Sequence, residues 1–569
     1  MRASVRSMAR RVVVMSVALS MLGFSRGSSA QGAPTVPTPG ISAAMGHIYG
    51  GDPAGAAKIL EEVTATTPFN ANAWRLLALC YRQTGELDRS MAAYEKAIAL
   101  EPNSPAAMFN LAGVYALKGN KDSAFALLAR VRSSRNYDMT QLDVDSAYAS
   151  LRVDPRYKTL LPTAADFANP FVEKVKVLLE VDGDSAGDQF GWIARGMGDV
   201  DHDGAIDFVT SAPTRSAGGA NAGRVYAYSS RTGKLLWSVD GKPGEQLGTG
   251  VESAGDVDGD GTQDVVAGAP YSGRTYVYSG KDGHTLFTLR AENDSDAFGQ
   301  HVSTAGDVDH DGHADVLVGA PTSNAGGRGA GRAYLYSGKD GHLLSTLTGE
   351  RAGDAFGSTV GGWSDAKRTL IVVGAPAAGS GKVGRTYVYD GLSKKPTFII
   401  ESDSTGRALG AMFVSVMGDV NGDGVPDVYA SDYTNGAKGA STGRIYVHSG
   451  RDGKRLLTLT GEGAGEGFGI GPAKTGDVDH DGNADLVIGS WQYSAATTSG
   501  GRVYLYSGGD GHLMKTYTDR IPGDTFGFDA VGIGDVDGDG TVDFLLTAAW
   551  SGVHGNHSGR IFIVSSGVK

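Results

Sequence analysis

The stretch Gly255-Asp256-Val257-Asp258-Gly259-Asp260-Gly261-Thr262-Gln263-Asp264-Val265-Val266-Ala267-Gly268-Ala269-Pro270 decides the fold of most of this chain. Its first half sets aspartates at alternate positions, turns on a glycine and closes on a fourth aspartate. Its second half is a short apolar run ending in Gly-Ala-Pro, the pattern of a buried strand. Gly273-Arg-Thr-Tyr-Val-Tyr278 follows as an alternating strand, then Ser279-Gly-Lys-Asp-Gly283 as a tight turn. Asp-Gly is a strong hairpin signal.

Working outward, the acidic loop recurs at Asp199/Asp201/Asp203/Asp207, Asp256/Asp258/Asp260/Asp264 and Asp307/Asp309/Asp311/Asp315. Later copies are Asp419/Asn421/Asp423/Asp427, Asp477/Asp479/Asp481/Asp485 and Asp535/Asp537/Asp539/Asp543. Successive first residues lie 57, 51, 112, 58 and 58 apart, so one copy is missing from the long interval, where Trp363-Ser-Asp365-Ala-Lys-Arg368 stands instead. Gly-Arg opens a strand seven times without a gap, at Arg224, Arg274, Arg332, Arg385, Arg444, Arg502 and Arg560. Phe-Gly or Leu-Gly precedes each unit, as at Phe190-Gly191, Phe298-Gly299 and Phe526-Gly527. Together these marks resemble the FG-GAP repeat of integrin α-chain propellers, over residues 171–569.

Each unit reads as four antiparallel strands: one before the acidic loop, one into Gly-Ala-Pro, one through Arg-x-Tyr-x-Tyr, and one after the Asp-Gly turn. Seven such units make a seven-bladed β-propeller. The last unit reaches only its third strand, Ile561 to Val564, whereas residues 172–181 read as a fourth strand with no unit before it. The expectation is that this strand closes the ring.

Four carboxylates converging on one point, with a backbone carbonyl such as that of Ala205 or Thr262 nearby, form a hard oxygen set that suits Ca2+ better than a transition metal. The flanking patterns are strands, and position twelve is Thr210 or Ala267 instead of Glu, so the loop is not an EF-hand. The resemblance to integrin propellers implies the same metal. Six loops hold 23 carboxylates. Crowding them without a cation is costly, and about six Ca2+ sites are expected to stabilise the blades.

Upstream the period is 34 residues. In the unit 71–104, Trp74, Leu77, Ala78, Tyr81, Gly85, Ser90, Tyr94, Ala97 and Pro102 recur at helical spacing, and 105–138 repeats much of the pattern. The unit 37–70 matches only in its second half. The pattern resembles the tetratricopeptide (TPR) repeat, which implies an all-α stack over 37–138 ahead of the all-β propeller. Residues 139–170 are expected to supply a helical cap near Ser146 to Leu161 and a linker. By the family's pattern a peptide groove here includes Asn72, Arg75, Arg82 and Asn110.

Residues 1–30 read as a signal peptide: basic Arg2, Arg6, Arg10 and Arg11, an apolar run from Val12 to Phe24, and a Ser28-Ser29-Ala30 cleavage site before Gln31. Their loss takes the formal charge from −12 to −17, which argues against nucleic-acid binding. No transmembrane span is expected in the mature chain, and its destination is extracellular, cell-surface or periplasmic. A single cysteine, Cys80, excludes an intramolecular disulfide.

Differences among blades locate candidate recognition. On the face opposite the acidic loops, blades one to four end strand two on Pro213, Pro270, Pro321 and Pro376, whereas blades five to seven carry Tyr433, Trp491 and Trp550, with Tyr493 close behind. Aromatic rings stack on sugars and anchor protein interfaces, so Tyr433, Trp491, Tyr493 and Trp550 are expected to form a patch for a glycan or a partner protein. Gly439-Ala-Ser441-Thr-Gly443 lacks the strand–turn–helix setting of a nucleophile elbow, and catalysis is not the leading expectation. The reading is an exported, calcium-binding interaction or adhesion scaffold. The alternative is a glycan-binding or calcium-assisted polysaccharide-cleaving propeller.

Overall fold

The computed structural model describes residues 39–568, and the expected signal peptide at 1–30 lies outside them. The chain divides into two compact units, one holding residues to Pro170 with Ser494–Gly500 and Arg520–Gly523, the other holding Phe171–Tyr493, Gly501–Asp519 and the residues from Asp524 onward. No described helix is long and apolar enough to cross a membrane.

The first unit is built on helices α1 (Pro39–Tyr49), α2 (Pro53–Thr66), α3 (Ala71–Thr84), α4 (Leu87–Leu100), α5 (Pro105–Leu117) and α6 (Lys121–Ser134). They form three consecutive hairpins, so the degenerate first repeat still folds as a pair. Local chemistry sets the boundaries. Asp52, Asn70 and Asn120 accept backbone N–H bonds from the first turns of α2, α3 and α6, and Gly85 ends α3 in the left-handed conformation at φ 83°. The cap differs from the single helix expected. It consists of a short helix at Gln141–Val144 and 3-10 turns at Ser146–Tyr148 and Pro155–Thr159. Asp145 and Asp154 each bond the backbone two residues on and start a new turn, and Pro155 cannot continue a preceding helix.

The second unit comprises seven four-stranded antiparallel sheets. In blade three the strands are Val302–Gly306, Asp315–Ala320, Arg332–Tyr336 and Leu343–Thr348. Strand two is buried at every position in all seven blades, whereas strand four has exposed positions in every blade. Between blades, Phe298 packs edge-on against Tyr334 and Tyr336 at 5.5 and 6.2 Å, and Phe356 and Phe468 repeat the contact. A glycine follows the Phe298 ring because backbones meet there: Gly299 has φ 85°, and a Cβ on it would lie 3.0 Å from the Gly268 Cα. The Gly-Arg side chains latch their blades through carboxylates, as in Arg274 to Glu245 at 2.8 Å and Arg502 to Glu462 at 2.9 Å.

Blade seven takes its outer strand from Val177–Asp182, which pairs with Arg560–Ser565 through Leu179↔Ile563 and Val181↔Ile561. The paired strand starts later than Val172. The Val172 N–H donates to the Thr518 carbonyl, and the Glu173 carboxylate accepts from the Thr518 N–H and hydroxyl, so this segment is pinned to blade six before it joins blade seven.

Candidate metal loops and recognition surfaces

The six acidic loops share one internal geometry. In blade one, Asp199 accepts from the N–H groups of Asp203 and Gly204, each at 3.0 Å, and Asp203 accepts from Ala205. The ninth residue, Asp207, is fully buried. Its Oδ2 accepts from Val200 at 2.8 Å and its Oδ1 from Ser230 in the turn between strands three and four. Asp264, Asp315, Asp427 and Asp485 repeat both bonds. The ninth carboxylate therefore stitches two loops together, a task its place in the motif does not reveal.

In blades one, two, three and seven the first, third and fifth carboxylates present oxygens within 4.8 Å of one another. Blade six departs from this pattern. There the group is Asp477, Asp479 and Asp485, and Asp481, expected as a metal ligand, stands outside it. Gly509 occupies the place where blades three and five carry Lys339 and Arg451, and Asp481 is exposed. Its Oδ1 accepts from the Asn483 N–H at 2.8 Å, and its Oδ2 reaches to within 2.8 Å of where a Cβ on Gly509 would sit. In blade five Asn421 takes the place of one carboxylate, beside Asp419 and Asp423.

Oxygens are left over: Asp203 Oδ2 and Asp543 Oδ1 are buried without a hydrogen-bond partner. Blade seven has no strand three–four turn of its own, so nothing replaces the N–H that serves Oδ1 elsewhere. Burial pushes the carboxyls of Asp264, Asp315, Asp427, Asp485 and Asp543 up to about 6, and neighbouring loop carboxylates push the same way. This donor set fits a hard divalent cation. In blade four Asp365 accepts from the N–H groups of Lys367 and Arg368, an ordinary turn.

On the other face the aromatics are brought together in part. Trp491 and Trp550 meet at 5.2 Å, Phe528 packs against Trp491 at 5.6 Å, and Trp192 packs against Phe528 at 4.6 Å. The two tryptophans are only 8% and 7% exposed, so their faces are held by protein instead of lying open as a patch. Their indole N–H groups nonetheless have no acceptor. Tyr493 stands apart, under Arg502 at 3.8 Å and bonded to Glu462, and Tyr433 makes no ring contact with the tryptophans.

The expected peptide groove is occupied by its own chain. Asn72 and Arg75 bond each other at 2.8 Å, and Asn110 donates to the Ala106 carbonyl. Arg82 pairs with Asp145 at 3.0 Å, both nearly buried. The rings of Tyr137 and Tyr148 lie against Phe109 at 4.5 and 4.9 Å, and the Tyr148 hydroxyl donates to the Phe109 carbonyl. Residues 137–148 thus cover the first helices of repeats two and three. The repeat pattern could not show this, because the covering segment falls outside it.

Sequence reading also missed a buried ionic cluster on the innermost strands. Arg195 bonds Glu252 at 3.0 Å and pairs with Asp529, joining blades one, two and seven. His301 faces the same group, and burial with the charges of Arg195 and Lys474 holds its ring well down, at about 4. The available signal was a charge at Arg195 and Glu252, where the equivalent strand-one positions of the other blades carry Ser303, Gly361, Ser415, Ala473 and Val531.

Family models match these regions: two tetratricopeptide-repeat models at 42–105 and 85–141, and an FG-GAP repeat model at 249–282, 298–336 and 468–506. The chain carries tetratricopeptide and FG-GAP repeats. It is similar to integrin alpha-5 of Xenopus laevis, 30% identical over 217 residues that cover 34% of this chain and 20% of the relative. It is 29% identical over 215 residues to integrin alpha-V of Gallus gallus, again 34% and 20% of the two chains. It is also similar to the phosphatidylinositol-glycan-specific phospholipase D of Homo sapiens, 27% identical over 387 residues, 56% of this chain and 46% of the relative. The chain thus spans a fifth of these integrins and under half of the phospholipase. The three matched FG-GAP segments fall in blades two, three and six. Blades one, four, five and seven lie outside them.

Proposed function

We propose that this chain is an exported, calcium-stabilised interaction scaffold whose FG-GAP propeller serves adhesion or surface recognition. The observation that carries the reading is the set of acidic loops in which backbone bonds fix the carboxylates and buried oxygens remain unpartnered. Kinship to integrin alpha chains supports the adhesive role. Calcium would be held by the first, third and fifth residues of most loops, with the ninth as a further donor where it is free to turn. In blade six the ninth residue, Asp485, would take the place of Asp481. The metal's charge would relieve the crowding of carboxylates, and the chain's own contribution is to hold the oxygens in place. Calorimetry of the full chain with calcium and with chelator tests the metal, and an unmoved melting temperature would sink it. Beads coated with the chain and presented to cells test the adhesion, which should disappear on chelation.

A second reading, glycan binding beside Trp491 and Trp550, has in its favour two buried indole donors without an acceptor. Replacing both with Phe keeps the rings and removes the donors. Glycan-array signal that survives this change would count against the reading.

A further inference from the structure

Blade four departs from the other blades twice on one face. Its strand one–two loop is Asp365-Ala-Lys-Arg368 instead of an acidic loop, and its strand three–four connection is Gly391-Leu-Ser-Lys-Lys-Pro396 instead of a tight Asp-Gly or Thr-Gly turn. The Gly391 N–H donates to the Thr369 carbonyl at 3.1 Å, which sets the two loops side by side.

Elsewhere on this face, basic residues of the turn stand opposite carboxylates of the loop: Arg231 lies 3.9 Å from Asp203, Lys339 3.9 Å from Asp311 and Arg451 3.6 Å from Asp423. Blade four keeps the bases and loses the acids. Lys367 and Lys395 are exposed and have no ion-pair partner among the described residues. Lys394 is held over blade three by bonds to the Ser345 hydroxyl at 2.6 Å and the Thr346 carbonyl at 2.7 Å. Arg368 has one loose pair, 3.8 Å to Asp390, and the Asp365 carboxylate is turned onto backbone N–H groups. Four cations therefore stand against two carboxylates, Asp365 and Asp390. The large apolar side chain among them is Leu392 alone, so the surface offers charge without the apolar centre of a protein interface.

We propose that this face of blade four docks a polyanionic polysaccharide, one bearing sulfate or carboxylate groups. A chain of net charge −12 repels polyanions in general, so retention on one reports a local basic site. The site does not depend on metal in the neighbouring loops, although calcium there would reduce the repulsion around it.

The test uses the full chain in calcium buffer on immobilised dextran sulfate and polygalacturonate, with uncharged dextran and polyglutamate beside them. The expected result is salt-sensitive retention on one or both charged polysaccharides, the pair reporting whether sulfate or carboxylate is preferred. K367E/K395E should weaken it by about tenfold or more, whereas K234E/K281E, reversing charges on the same face of blades one and two, should leave it within about twofold. If the double reversal fails to fold, K367Q/K395Q takes its place. Undiminished binding by the blade-four variant overturns the proposal, as does retention no stronger than on plain dextran. Equal retention on polyglutamate would assign the surface to an acidic protein segment and overturn it as well.

Discussion

The groove between α3 and α5 and the acidic loops of the propeller are both rich in polar side chains, and they differ in what is left over. In the groove Arg82 meets Asp145, Arg75 meets Asn72 and Asn110 turns back on its own helix, so its polar groups are spent internally. In the loops backbone N–H groups fix the carboxylates, yet Asp203 Oδ2 and Asp543 Oδ1 remain buried and bare. A family pattern names the positions where a site can form. The balance of donors and acceptors decides whether one remains available.

The largest expected effect tests the loop side. Each occupied site adds about 1.4 kcal/mol at a calcium concentration ten times its dissociation constant, so six sites approach about 8 kcal/mol. Chelation should lower the melting temperature steeply in calorimetry. On the groove side, Asp145→Ala leaves Arg82 buried without its partner and should cost about 3–5 kcal/mol in denaturant unfolding, with no dependence on calcium. If that variant keeps its stability and gains affinity for acidic peptides, the contrast between filled groove and open loop collapses.

Smaller effects separate the two tasks within one loop. Asp258→Asn should weaken calcium binding at blade two by titration calorimetry and leave the calcium-free protein nearly as stable as before. Asp264→Asn should do both kinds of damage, with about 1–2 kcal/mol lost even in chelator, because its carboxylate binds Val257 and Gly280. The pH dependence carries a sign. Asp264, Asp315, Asp427, Asp485 and Asp543 titrate near 6 when folded and near 3.8 when free, so between these values the folded state holds more protons. Calcium-free stability should then fall as pH rises through that window, and the calcium-loaded protein should show the opposite trend because protons compete with the metal. His301 adds the weakest test. Its ring stays neutral down to about 4 when folded, so it withdraws stability as pH falls below about 6.5, and His301→Gln should flatten that limb of the calcium-loaded profile.

Much of this was legible because the propeller repeats its chemistry. Aspartate alternation, Phe-Gly and Gly-Arg each encode a local geometry, and seven units in register, six of them with the acidic loop, remove ambiguity about strand order. What stayed hidden depended on partners distant in sequence. Tyr148 reads as a helix residue until Phe109 is beside it, and Arg195 shows no role until Glu252 and Asp529 arrive from other blades. Asp481 reads as a ligand like its counterparts, yet Asp477 and Asp479 gather with Asp485 instead. The double duty of Asp207 was invisible for a different reason: a carboxylate that binds backbone and one that binds metal look alike in a motif.

The pairing of Val177–Asp182 with Arg560–Ser565 also fixes a timetable. During synthesis the first of these strands emerges before any blade exists, and its partner emerges after all the others. The ring must therefore wait, open at one blade, for nearly the whole domain to be made, with two unpaired edges exposed to neighbours. A circular permutant that begins at Gly183 and carries Phe171–Asp182 behind Val568 would turn this last, longest-range contact into a local hairpin. Its refolding should be faster and less dependent on protein concentration.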